Sequence, residues 1–339
     1  MHVLARSPGR PGGPPVGRRG PCVGHLAIVW LLGCVHDPTM ASVVATAPAA
    51  APAGFSGDDA RVILLHWLEA PRALGDPRRT TTIAELGDAL AALGASRIER
   101  IAHVAPGPDG DPVREYALVE IIAHFRERAP RRFVLATHFD TRPWADEEID
   151  RERRSLPVPG ANDGTSGLAV VLALIEPLLA RLPGDVGISV ILFDGEELGR
   201  PGLGGYCMGS RHLAARIEDG LHPTLASADL GIVLDMVGDA DLRVSVEPSS
   251  KRFHPALVDH LWGTARALGI DSFDPEVRGG AIVDDHVFLS EAGIPSVLLI
   301  DREYTAWHRT TDTPDRVSAA SLGDVGTVVL EGILRWYAR

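Results

Sequence analysis

The run Ile188-Ser189-Val190-Ile191-Leu192-Phe193 passes directly into Asp194-Gly195-Glu196-Glu197. An apolar, β-branched run of this length reads as a buried strand, so acids gathered where it stops stand at a mouth of the sheet. Open α/β folds bind ligands there. Adjacent acids can divide labour, one binding a metal while its neighbour, aimed elsewhere, acts as general base. The competing reading is a solvated acidic turn, because Asp-Gly is a common turn dipeptide.

Working outward, strand-like runs occur at 115–122, 133–137, 187–193, 230–234, 242–246 and 294–300. Helical periodicity marks 59–70 and 82–94, where Ile83, Leu86, Leu90 and Leu93 share a face, and helices are expected at 164–182, 209–217, 255–268 and 318–337. The alternation predicts an α/β three-layer sandwich, with a central mixed, mostly parallel sheet flanked by helices. No internal repeat is visible. Residues 141–162 form the longest polar interruption, a length that marks a functional loop or a lid.

Histidines and acids recur where the apolar runs stop. Phe133-Val134-Leu135-Ala136 runs into Thr137-His138-Phe139-Asp140, Gly160-Ala161-Asn162-Asp163 precedes a helix, the 230–234 run stops at Asp235, and Trp307-His308 follows the last strand. Distant segments meeting at one sheet edge can build a metal site. Oxygen and imidazole donors without thiolates suit catalytic zinc, and the candidates are His138, Asp163, Glu197, Asp235 and His308. Asp140, on the same face of an extended segment as His138, is placed to orient its imidazole. Taken singly, each has a plainer reading: a surface histidine at a strand end, or, for Asp163, a helix N-cap.

The 339 residues are 45% hydrophobic and 23% charged, an ordinary globular composition, read as one large domain over 58–339. A net charge of -12, with no basic run in the folded part, argues against nucleic acid and against anionic membrane surfaces. Residues 1–57 differ. Arg6, Arg10, Arg18 and Arg19 precede the short apolar segment Leu26–Leu32, which suits a signal-peptide core and is too short to span a bilayer. Leu31-Leu32-Gly33-Cys34 resembles a bacterial lipoprotein box with Cys34 acylated; an ordinary signal peptide with an incidental cysteine is the alternative. Either implies export to the periplasm or cell envelope. Residues 41–54, rich in Ala and Pro, read as a tether. With Cys22 and Cys34 in the leader, Cys207 is alone in the body, which excludes an intramolecular disulfide there and favours a buried structural thiol over a nucleophile.

Thr137-His138-Phe139-Asp140, Gly160-Ala161-Asn162-Asp163-Gly164, Phe193-Asp194-Gly195-Glu196-Glu197, Leu234-Asp235-Met236-Val237-Gly238 and Trp307-His308 together resemble the M28 metallopeptidase superfamily, over about residues 60–339. Within it the chain is similar to the bacterial branch related to glutaminyl-peptide cyclotransferases. The resemblance implies a zinc-exopeptidase-like fold, zinc held by Asp163, Glu197 and His308, and Glu196 as general acid/base acting on peptide or protein N-termini. It further implies that the superfamily's aminopeptidases hold a second zinc through residues matching His138 and Asp235, with Asp163 bridging. Cyclotransferases keep these residues while binding one zinc, so the count stays open.

Three features resemble the cyclase branch. Asp284-Asp285-His286 precedes a short helix, and its first Asp would join Asp235 in a catalytic hydrogen-bond network. Gly209-Ser210-Arg211-His212-Leu213 resembles the segment after the cyclase Glu-Glu pair, and Trp307 matches a pocket tryptophan. The stretch Leu198-Gly199-Arg200-Pro201-Gly202 lacks the tryptophan that animal cyclases carry there. A Trp beside a ligand also fits a core position. The expected activity is glutaminyl-peptide cyclisation, with di-zinc aminopeptidase as the alternative and a non-catalytic binding ectodomain as a third reading that metal content would expose. His212, His254, His260 and His286 read as structural or surface residues.

Overall fold

The computed structural model describes residues 54–70, 72–107 and 115–338. The expected leader with Cys22 and Cys34, and residues 41–53 of the tether, lie outside the described residues.

Helices α1 (Gly57–Leu68) and α2 (Arg79–Ala92) precede strands β1 (Arg97–Pro106), β2 (Glu115–Phe125) and β3 (Arg131–His138). There follow α3 (Ser166–Arg181), β4 (Val186–Phe193), α4 (Met208–Glu218), the single turn α5 (Pro223–Ala226), β5 (Leu230–Asp235) and β6 (Val244–Val246). The last described elements are α6 (Pro248–Phe253), α7 (Pro255–Leu268), β7 (Phe273–Val277), α8 (Asp285–Glu291), β8 (Ser296–Ile300) and α9 (Ala319–Tyr337).

A six-stranded sheet runs in the order β1-β2-β4-β3-β5-β8. The β1/β2 and β2/β4 ladders are antiparallel, and β3/β4, β3/β5 and β5/β8 are parallel, giving the expected mixed, mostly parallel sheet. Strands β4, β5 and β8 are buried throughout, because helices cover both faces; this is why they read in sequence as unbroken apolar runs. On one face Phe133, Leu135, Ile188, Val190, Ile232 and Val297 pack against α1, α3, α7 and α9 through residues such as Trp67, Leu168, Leu261 and Val329. On the other face Val134, Ala136, Ile191, Val233 and Leu298 meet Leu213 and Ile217 of α4 and Leu289 of α8. Alternation along each strand thus makes both interfaces. Truncating a buried member such as Phe133 to Ala would cost about 3–5 kcal/mol.

Two expectations need correction. Strand β1 was not among the expected runs, since Arg97, Glu99, Arg100 and His103 break its apolar pattern; it is a largely exposed edge strand, where charge protects against further pairing. The run at 242–246 contributes only Val244–Val246, and it pairs with β7 in a separate two-stranded sheet. Among the described residues, no helix is long and apolar enough to cross a membrane.

Candidate active site

The carboxyl ends of β3, β4 and β5 share one edge of the sheet, and each ends in chemistry: His138, the Asp194–Glu197 turn, and Asp235. After β4, Gly195 adopts φ 70°, a left-handed conformation that glycine enters without cost, and Glu196–Leu198 form one 3-10 turn. Asp140, two residues past the end of β3, fixes this turn, its two oxygens accepting from Glu196 N at 3.2 Å and Glu197 N at 3.1 Å.

The acids of the turn have separate fates. Asp194 is fully buried, pairs with Arg79 and accepts from Val119 N at 2.7 Å; burial pushes it up to about 7. It is a structural group. Glu197 turns toward His308, with Oε2 3.3 Å from Nε2, and Arg142 Nη1 donates to the same oxygen at 2.9 Å. Burial alone would raise this carboxyl, but His308 and Arg142 hold it well below the usual range. Glu196 goes the other way: burial, reinforced by Glu197, pushes it well above. Its Oε1 accepts from the Cys207 thiol at 3.2 Å, and burial followed by Glu196 keeps that thiol protonated.

Asp163 is not the helix N-cap that its sequence context allowed, because α3 begins at Ser166 with Thr165 at the cap. Instead, the Asn162 and Asp163 amides donate to Asp312 at 2.8 and 3.1 Å, and the Tyr304 hydroxyl donates to Asp312 at 2.6 Å. That anchoring aims the Asp163 carboxylate into the pocket. Its Oδ1 lies 3.4 Å from His138 Nε2 and its Oδ2 lies 4.0 Å from His308 Nε2. His138 Nε2 is also 3.1 Å from Asp235 Oδ1, and its Nδ1 is 3.6 Å from Asp140. Burial would lower the His138 imidazole, yet Asp140, Asp163 and Asp235 hold it well above its ordinary value.

The donor atoms of His138, Asp163 and Asp235, and those of Asp163, Glu197 and His308, form two buried trios, each with all atoms within 4.8 Å of one another. Asp163 belongs to both. Burial and the Glu197 charge push Asp163 well above the usual carboxylate range, and its buried Oδ2 has no hydrogen-bond partner. Such a concentration of buried carboxylates is costly without a cation. Hard oxygen and imidazole donors with an orphaned carboxylate oxygen fit zinc.

Asp284 caps α8, accepting from Asp285 N at 2.5 Å; burial, then the Asp235 charge, pushes it up to about 7. Trp307 stacks on the His308 ring with centroids 3.7 Å apart and is 40% exposed, so it is not a core residue. His308 itself has φ 54°, an uncommon conformation for a side-chain-bearing residue. His286 is buried against Glu247 at 3.0 Å and belongs to neither trio.

Sequence reasoning missed Arg142, Asp146, Asp312 and Tyr304. Arg142 clamps Asp146 with contacts of 2.7 and 2.6 Å, and Asp146 lies 3.5 Å from His308 Nδ1. The available signal was a basic residue four positions after His138, at the head of the 141–162 loop. That loop also ties back to the His308 segment through Glu147 N, which donates to the His308 carbonyl at 3.3 Å.

Fold and site together define a protein of the zinc-exopeptidase type. The sequence profile of Peptidase family M28 matches residues 120–333, and the chain belongs to that family. It is 25% identical over 252 residues to the glutaminyl-peptide cyclotransferase of Bos taurus, covering 64% of this chain and 65% of that one. It is 30% identical over 188 residues to aminopeptidase YwaD of Bacillus subtilis, covering 52% of this chain and 37% of that one. The chain therefore spans somewhat under two thirds of the first curated relative and about a third of the second. Among solved structures, Fimbriiglobus ruber glutaminyl cyclase is 32% identical with a TM-score of 0.74, covering 83% of this chain and 95% of that one.

Proposed function

We propose that this chain is a zinc-dependent glutaminyl-peptide cyclotransferase, converting an N-terminal glutamine to pyroglutamate with release of ammonia. The observation that carries the reading is the mouth of the site, where buried Asp284 faces the charge of Asp235 and half-exposed Trp307 flanks His308. The 32% identity to a solved glutaminyl cyclase supports it.

Asp163, Glu197 and His308 would hold the zinc. When bound, it polarises the side-chain amide carbonyl of the substrate glutamine. Glu196 takes a proton from the substrate α-amine, which then closes on the amide carbon; the new C–N bond forms as the old one breaks. Glu196 returns the proton to the departing ammonia. Burial holds the Glu196 carboxyl well above its ordinary range, which suits it to take up and return a proton. Asp235 and Asp284 hold the nitrogen, and Trp307 walls the ring. No enzymic nucleophile is required, since substrate binding supplies the attack geometry.

One observation favours a second reading. Asp163 presents one oxygen to each trio, the arrangement a di-zinc aminopeptidase would use, with His138 and Asp235 completing the second site. The products separate the two. With a Gln-initiated and a Leu-initiated peptide, mass analysis should show loss of ammonia from the first and no change in the second; release of free leucine would overturn the cyclase reading. In either case we place the enzyme in the periplasm or cell envelope, with the residues ahead of α1 as export leader and tether and Cys34 as the proposed lipidation site.

A further inference from the structure

A second set of donors meets on the antiparallel side of the sheet, apart from the Asp163 pocket. In the β1/β2 ladder His103 pairs with Leu118, so Glu120 is its diagonal neighbour on the same face. From α4, His212 reaches the same point. His103 Nδ1 lies 3.2 Å from Glu120 Oε1, His212 Nδ1 lies 3.5 Å from Glu120 Oε2, and the two rings stack with centroids 3.9 Å apart. All three donor atoms fall within 4.8 Å of one another.

These groups are poorly satisfied as they stand. Glu120 is fully buried, yet its Oε1 accepts no hydrogen bond, and neither ring nitrogen of His103 makes one. Orphaned buried polar atoms are uncommon and costly. Burial pushes the Glu120 carboxyl up to about 8 and both imidazoles down, leaving ring lone pairs available. The α4 backbone also comes close to this carboxylate: a Cβ at Gly209 would sit 2.4 Å from the Asp194 carbonyl and 2.8 Å from Glu120 Oε1, so only glycine fits between them.

We propose that His103, Glu120 and His212 form a further divalent-metal site, taking a borderline first-row ion such as Zn2+, with water completing its coordination. Two nitrogen donors and one carboxylate disfavour Ca2+ and Mg2+, which prefer all-oxygen shells. The side chain of His212 is 29% exposed and gives the ion a way in from solvent. An ion here ties the β1–β2 edge to α4. The start of α4 in turn holds the catalytic turn, with Cys207, Met208 and Gly209 amides donating to the Glu196, Gly195 and Asp194 carbonyls, each at 3.1 Å.

The test is a difference in metal content. Full-length wild-type chain and His103→Gln/His212→Gln are dialysed against the same low free zinc, and bound zinc per chain is measured by elemental mass spectrometry. The wild type should hold one equivalent more, and Glu197→Ala/His308→Ala should keep that equivalent. Because the count is a difference, it reads the same whether the Asp163 pocket binds two ions, one or none. Equal zinc in the wild type and the double variant overturns the site. Should the double variant fail to fold, His212→Gln, altered at a part-exposed side chain, gives the same comparison. A wild-type zinc count and a wild-type zinc-dependent rise in Tm for that single variant also refute the proposal.

Discussion

Replacing Arg142 with Met tests whether the clamp behind the site sets both stability and metal affinity. The guanidinium is buried; it donates to Asp146 at 2.7 and 2.6 Å, to Glu197 Oε2 at 2.9 Å, and to the Glu197 and Gly199 carbonyls at 3.1 and 3.0 Å. Met fills part of the volume but strips the guanidinium from both the Asp146 and Glu197 carboxylates, which keep His308 as their ion-pair partner. Breaking a buried pair from one side costs about 3–5 kcal/mol. For a domain of this size that lowers Tm by roughly 6–20 °C, at about 2–4 °C per kcal/mol. Zinc affinity should fall about 10–100-fold, the usual effect of removing a partner that orients a ligand. Calorimetry of the apo-protein and chelator competition read the two effects separately. Asp146→Leu added to Arg142→Met should recover part of the lost stability, because one stranded charge is gone. A Tm within about 1 °C of wild type with unchanged zinc affinity would refute the reasoning, since surface ion pairs alone behave that way.

Three further outcomes are expected. Glu196→Gln should lower kcat about 10²–10⁴-fold while retaining zinc, whereas Glu197→Ala should lose the metal; if the first variant also lost zinc, the division of labour in the turn would be wrong. Asp284→Asn should reduce kcat for Gln-initiated peptides with zinc content and Tm unchanged, and an unaltered kcat would remove Asp284 from the reaction. Glu247 is pulled down to about 2: burial opposes the shift, but His286 and the Ser249 and Ser250 amides outweigh it. A depressed carboxyl stabilises the fold above its ordinary value of 4.5 and loses that contribution as pH falls toward 2. Urea unfolding of Glu247→Gln should therefore show a flatter loss of stability over that acid range, and a wild-type slope would count against it.

What could be read from the sequence follows from how each strand is covered. Strand β4 and its acids were legible because a strand buried on both faces must be apolar to its end. Strand β1 was not, because its exposed edge carries the charges that erase a periodic signal. The same divide runs through the site. His138 and Asp235 close strands β3 and β5 and Glu197 sits in the turn just after β4, and such ends leave local marks; Asp163 and His308 lie in loops and were placed by residue type and order rather than by an element end. Arg142 reaches Glu197 across 55 positions and Asp312 reaches Asn162 across 150, contacts with no local period behind them. Separating Asp194 from Glu196 and Glu197 likewise required Arg79, 115 positions away.

The Asp140 carboxylate accepts one amide from Glu196, the proposed proton-transfer residue, and one from Glu197, the proposed metal ligand beside it. It thereby makes a single rigid lever of two adjacent functions. Any change that rotates the lever to favour one substrate geometry must also reset the grip on the ion. Selection for a new proton-transfer chemistry on this scaffold would therefore have to alter the grip on the ion at the same time, because one carboxylate holds both amides.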